Sequence, residues 1–155
     1  MLQREKGVQA PVSSSLLSDL AVLFKVRIVF LLLLSATAGV FLGARGWPGW
    51  GALLLTLVTG ALAAMGSSAW NQYLERESDA MMTRTRKRPL VTGAIPRPTW
   101  VPYVATAMIA APVLAVLPTH PALALFLTLG AFIYVVIYTI WLKPRTPLNI
   151  VIGGA

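Results

Sequence analysis

The chain has no cysteine. This excludes a disulfide framework and any Cys-ligated zinc or iron–sulfur site. It has a single histidine, His120, and only five acidic residues against thirteen Lys and Arg. Charged residues make up 12% of its 155 residues and hydrophobic residues 57%, where a soluble domain averages about 25% charged and about 45–50% apolar. The apolar excess is gathered in long blocks, which points to an all-α, polytopic membrane helical bundle. A net charge of +8 would suggest nucleic acid as a partner of a soluble protein. Here the basic residues flank apolar blocks, where membrane topology already calls for them, so nucleic-acid binding is not expected.

Four spans are predicted, over about residues 24–44, 50–74, 100–118 and 121–142, each near the length a tilted helix needs to cross a bilayer. The breakers Gly46-Trp47-Pro48-Gly49, Gly93 to Pro98 and Pro118-Thr119-His120-Pro121 separate them. Trp47, Trp50, Trp100 and Trp141 stand at block edges, where interfacial aromatics belong. Arg4 and Lys6 precede span one, Lys25 and Arg27 stand at its entry before the apolar block that starts near Ile28, and only Arg45 lies between spans one and two. Six cations lie between spans two and three, none between three and four, and Lys143 and Arg145 follow span four. Twelve of the thirteen therefore fall on one side, expected to be cytoplasmic, with the protein in the cell membrane.

A cleaved signal peptide is a competing account of the first block, since Ala36-Thr37-Ala38 resembles a cleavage site. The polar lead is long for a signal, and the apolar run continues past Ala38, so a retained span is expected. Residues 1–18 are expected to form a cytoplasmic tail, with Ser13-Ser14-Ser15 as helix-start signals, and residues 19–155 the transmembrane domain.

The segment from Asn71 to Leu90, NQYLERESDAMMTRTRKRPL, carries the chemistry. Asn71, Glu75 and Asp79 stand at i, i+4 and i+8, so one helix face stacks three oxygen-bearing side chains at the end of a span. Mg²⁺ takes one or two carboxylates together with waters and phosphate oxygens, and this set meets that need. The competing reading is a solvated helix end paired with Arg76 and Arg84. Ionisable groups at membrane depth are rarely idle, which favours the metal site. Arg84, Lys87 and Arg88 follow. Pro89 disfavours helix at Arg88, so a loop is expected to turn back there and offer these cations to a phosphate. Anionic lipid headgroups would explain the charge but not the residue order.

The order Asn71-x-x-x-Glu75-x-x-x-Asp79-x-x-Met82-x-Arg84-Thr85-x-x-Arg88-Pro89-Leu90 resembles the first substrate-binding motif of the UbiA superfamily of membrane prenyltransferases. Within it, the chain resembles the protohaem IX farnesyltransferases, or haem O synthases. Phe24-Lys25-Val26-Arg27 resembles the start of that family's first helix, with Val26 in place of the usual Pro. Tyr138-Thr139-Ile140-Trp141-Leu142-Lys143 and the stretch from Thr146 to Ala155 resemble its fourth helix and exit loop. Glu75 stands where many members carry Asp.

The resemblance implies a transferase that moves a farnesyl group from farnesyl diphosphate to a vinyl group of haem b, giving haem O, with Mg²⁺ as cofactor. It implies a fold of usually nine helices and a second Asp-rich motif that this sequence lacks. The chain is therefore expected to be an N-terminal half, a truncated product or part of a split protein whose missing half or complementary chain completes the site. Asn71, Glu75 and Asp79 are implied as metal ligands, and Arg84, Lys87 and Arg88 as diphosphate ligands. Lys25, Arg27, Lys143 and Arg145 are further candidates for a phosphate or a haem propionate. His120 lies in the loop opposite the motif and is not expected to bind haem. Tyr73, Tyr134 and Tyr138 are candidates to stabilise a cation or to pack. Gly60, Gly66 and Gly130 are expected at close helix contacts. The alternatives are a UbiA-type enzyme for a quinone or chlorin acceptor, and a non-catalytic four-span protein.

Overall fold

The structure, a computed structural model, describes residues 15–95, 98–143 and 145. The first fourteen residues of the expected tail, Arg97, and the matching stretch from Thr146 onward lie outside the described residues. Every described element is helical, and four helices are long and apolar enough to cross a membrane.

Ser15 caps α1 (Leu16–Leu23), its Oγ accepting from the Ser18 N–H at 3.3 Å. A break at Phe24–Lys25 separates α1 from α2 (Val26–Ala44). Lys25 takes the left-handed conformation there, with φ 48°. Arg45, Gly46 and Gly49 also have positive φ and turn the chain into α3 (Trp50–Met81). Phe41, Trp47 and Trp50 meet edge to face at that turn, an arrangement suited to a membrane interface. A short α4 (Pro89–Thr92) follows, then a 3₁₀ turn (Pro98–Trp100) leading into α5 (Val101–Val116). The last span joins α6 (Pro121–Phe132) to a π-helical segment (Ile133–Leu142).

The 32 residues of α3 span about 48 Å, while a bilayer core is about 30 Å thick. Its polar last third therefore projects beyond the hydrocarbon. α3 packs against α2, α5, α6 and the π segment and is the centre of the bundle. Because successive spans alternate in direction, four parts meet at one end. These are the α1–α2 elbow, the end of α3, the start of α5 and the end of the π segment. A small core of Leu23, Ala69, Leu90, Ile95, Val101 and Ala105 closes that end.

Gly66 alone of the three glycines fits the expected close approach. A Cβ there would lie 2.6 Å from the Ala105 carbonyl oxygen and 3.0 Å from Met108 and Ile109 side-chain atoms. Gly60 and Gly130 depart from the expectation. A Cβ at Gly60 meets only Leu33 Cδ2 at 3.9 Å, and one at Gly130 meets nothing within 4 Å. Both line a cavity instead of a helix contact. Gly66→Ala is expected to destabilise the bundle by about 1–3 kcal/mol in micelle unfolding followed by far-UV circular dichroism. Gly39→Ala, on open helix surface, should instead stabilise by about 0.5–1 kcal/mol. Equal stabilities would show that α3 and α5 do not approach so closely.

Candidate functional site

The i, i+4, i+8 row on α3 faces inward. Asn71, Glu75 and Asp79 are all buried, at 2%, 8% and 3% exposure. Buried carboxylates need compensation, and three cations from three other parts of the fold supply it. Arg88 Nη1 donates to Asp79 Oδ2 and lies 3.8 Å from Glu75 Oε2. Lys143 Nζ donates to Glu75 Oε1 at 2.6 Å. Lys25 Nζ donates to Asn71 Oδ1 at 2.7 Å and to the Tyr134 hydroxyl at 3.0 Å. Asn71 Nδ2 in turn donates to Glu75 Oε1 at 2.8 Å and Thr139 Oγ1 at 3.1 Å.

The loop after α3 places Arg88. Thr85 Oγ1 donates to the Asp79 carbonyl at 3.1 Å, which satisfies an orphan acceptor at the helix end. Turns at Met82–Arg88 then bring Arg88 into extended backbone, with Pro89 at the first position of α4 and Leu90 in the core. The loop does turn back at Pro89, and Arg88 reaches the carboxylates. Arg84 and Lys87 are exposed, and no ion pair joins either to the cluster among the described residues. Arg27 and Arg145 are exposed as well, Arg145 lying over the Trp141 ring.

The elbow places Lys25. Gln72 Nε2 donates to the Val22 and Leu23 carbonyls at 2.7 and 2.9 Å, and Ser68 Oγ donates to the Leu23 carbonyl at 3.1 Å. These bonds pin the end of α1 to α3. Burial, reinforced by Arg88, lowers the Lys25 pKa from 10.5 to about 8. Its ammonium thus sheds its proton more readily than a surface lysine.

Thr139 was absent from the expected site, and Lys143 could not be told from a topology signal. The π turn explains both. Thr139 Oγ1 donates to the Tyr134 carbonyl at 2.8 Å, and the Lys143 N–H to the Tyr138 carbonyl at 3.0 Å, each a step of five residues. That period brings Tyr134, Thr139 and Lys143 to the side facing Asn71 and Glu75. An α-helical reading of the sequence pairs Tyr134 with Tyr138 instead, and their rings do stack at 5.8 Å.

Below the cluster lies a cavity of about 400 Å³ between α2, α3 and α6. Lys25, Ser67, Ser68 and Tyr134 form its polar edge, and the remaining lining is apolar. The site therefore joins an ionic head region to a greasy compartment. Three cations face two carboxylates within it, and the surplus positive charge suits an anion. Among the described residues, no three His, Cys, Asp or Glu side chains gather into a metal-binding group. The two carboxylates and the amide oxygen are nevertheless hard donors of the kind and number Mg²⁺ draws from a protein.

Residues 32–155 match the UbiA prenyltransferase family. The chain belongs to this family. Relatives include the protoheme IX farnesyltransferase of Metallosphaera sedula, 42% identical over 86% of this chain and 46% of its own length. That of Pseudarthrobacter chlorophenolicus is 46% identical over 86% of this chain and 42% of its own length. Protoheme IX farnesyltransferase 2 of Paramagnetospirillum magneticum is 40% identical over 89% of this chain and 48% of its own length. The chain thus spans less than half the length of these relatives. No solved structure matches it. Within the UbiA family, this chain contributes four candidate membrane spans and a buried ionic cluster.

The Arg88–Asp79 pair is testable without substrate. Arg88→Met should cost roughly 3 kcal/mol by leaving a buried carboxylate unpaired. The same change in an Asp79→Asn background should cost far less in chemical unfolding. Equal costs would mean the pair is not coupled.

Proposed function

We propose that this chain supplies the first-motif half of the active site of a haem-farnesylating prenyltransferase, which joins the farnesyl group of farnesyl diphosphate to a vinyl group of haem b. The observation that carries the proposal is the cation-rich cluster at the rim of an apolar cavity. Its head and tail compartments match a diphosphate joined to a prenyl chain. Membership of the UbiA family and the names of the relatives support the same reading.

In this account Glu75 and Asp79, with Asn71 beside them, hold Mg²⁺. Bound there, Mg²⁺ would supply charge neutralisation for the diphosphate. Arg88, Lys143 and Lys25 bind the phosphate oxygens, and Arg84 and Lys87 draw the anion toward the loop. Lys25 also holds the Tyr134 hydroxyl, which directs that ring toward the cavity where an allylic cation would develop. The walls keep water from that cation. Arg27 and Arg145 remain candidates for a haem propionate. The loop and the N-terminus face the cytoplasm from the cell membrane, and groups beyond this chain's share of its relatives complete the site and the haem pocket.

The test uses membranes holding this chain extended by the remaining residues of a relative. Given haem b, farnesyl diphosphate and Mg²⁺, they should make haem O, detected by mass. Asp79→Ala should lower the rate at least about 100-fold. An undiminished rate would remove the carboxylate row from the mechanism.

A further inference from the structure

The cavity has a polar rim and an open apolar far end, where Leu32 and Phe126 are 54% and 68% exposed. On α3 its lining runs from Ser68 down to Gly60. On α2 it ends at Leu32, and on α6 its far end is Phe126. At ~1.5 Å per residue, Gly60 lies about 12 Å below Ser68 and about 16 Å below Asn71. Gly130 lies only about 6 Å below Tyr134 on the facing helix.

Neither glycine is required by the backbone or by packing. Both lie inside helices without positive φ. A Cβ at Gly60 would make one ordinary contact, at 3.9 Å, and one at Gly130 none within 4 Å. Gly66, which no side chain could replace without moving α5, is the contrast. In a helix interior glycine is less favourable than alanine. What Gly60 leaves in return is empty space within the cavity.

The geometry points to Gly60 as the residue that sets how long a prenyl tail the cavity accepts, a specificity role resting on the reading of the site as a prenyl diphosphate site. With carbon–carbon bonds of ~1.5 Å, extended tails of two, three and four isoprene units reach about 9, 14 and 19 Å. With its diphosphate at the cluster, a farnesyl tail ends just above Gly60. A geranyl tail stops well short of it, and a geranylgeranyl tail runs past it. A side chain at Gly60 removes the space of the last farnesyl unit.

The test measures binding of geranyl, farnesyl and geranylgeranyl thiodiphosphates, with Mg²⁺, to the chain extended by the remaining residues of a relative, in lipid nanodiscs. Gly60→Leu should weaken the farnesyl compound about tenfold or more and the geranyl compound less than about twofold. Unchanged geranyl affinity in Gly60→Leu also reports that the variant is folded. If wild type binds the tails but Gly60→Leu leaves farnesyl affinity unchanged, or weakens all three equally, the ruler is overturned and the site reading stands. If wild type binds none of the three, the site reading fails and the ruler with it.

Discussion

Two carboxylates buried at the end of one helix set the terms for everything around them. An unpaired charge there would cost several kcal/mol, so Glu75 and Asp79 must be met by cations from elsewhere in the chain. Arg88 meets them because the loop after α3 turns back. That return is itself built from small local requirements. Thr85 satisfies the Asp79 carbonyl, Pro89 opens α4, and Leu90 and Ile95 enter the core beside Leu23 and Val101. The run Arg84-Thr85-Arg86-Lys87-Arg88-Pro89-Leu90 is thus a folding instruction as well as a charge signal.

The same constraint reaches the other spans. Lys25 arrives from an elbow fixed by Gln72 and Ser68, and Lys143 from a π turn that also delivers Thr139 to Asn71. Four-span alternation puts these parts at one end, and local geometry aims them. The resulting cluster carries more positive than negative charge. It stands at the rim of an apolar cavity, and so is complementary to a ligand with an anionic head and a hydrocarbon tail.

Much of this was legible in the sequence. The apolar blocks and the alternation of Lys and Arg marked four spans, because a bilayer imposes both. The four-residue spacing of Asn71, Glu75 and Asp79 placed them on one face, and Pro89 marked the turn of the loop. The sequence was less informative where the helix period changes. Tyr134, Thr139 and Lys143 share one side because hydrogen bonds over Ile133–Leu142 step by five residues, which no α-helical pattern reveals. Charge alone also could not separate Arg88, held by Asp79, from Arg84 and Lys87 on the exposed side of the same loop. Small residues were ambiguous in the same way. Gly66 serves a helix contact and Gly60 a void, and only three-dimensional neighbours distinguish them.

The central claim is that the cluster is a diphosphate head site whose carboxylates and cations act together. Its most direct measurement is the thermal unfolding of the chain in nanodiscs with inorganic diphosphate and Mg²⁺, added separately and together. A ligand at 100 times its dissociation constant stabilises the folded state by about 2.7 kcal/mol. The account predicts a rise in unfolding temperature that is largest with both present and lost in Glu75→Gln/Asp79→Asn. An unfolding temperature indifferent to diphosphate, or a rise that survives the double substitution, would contradict it.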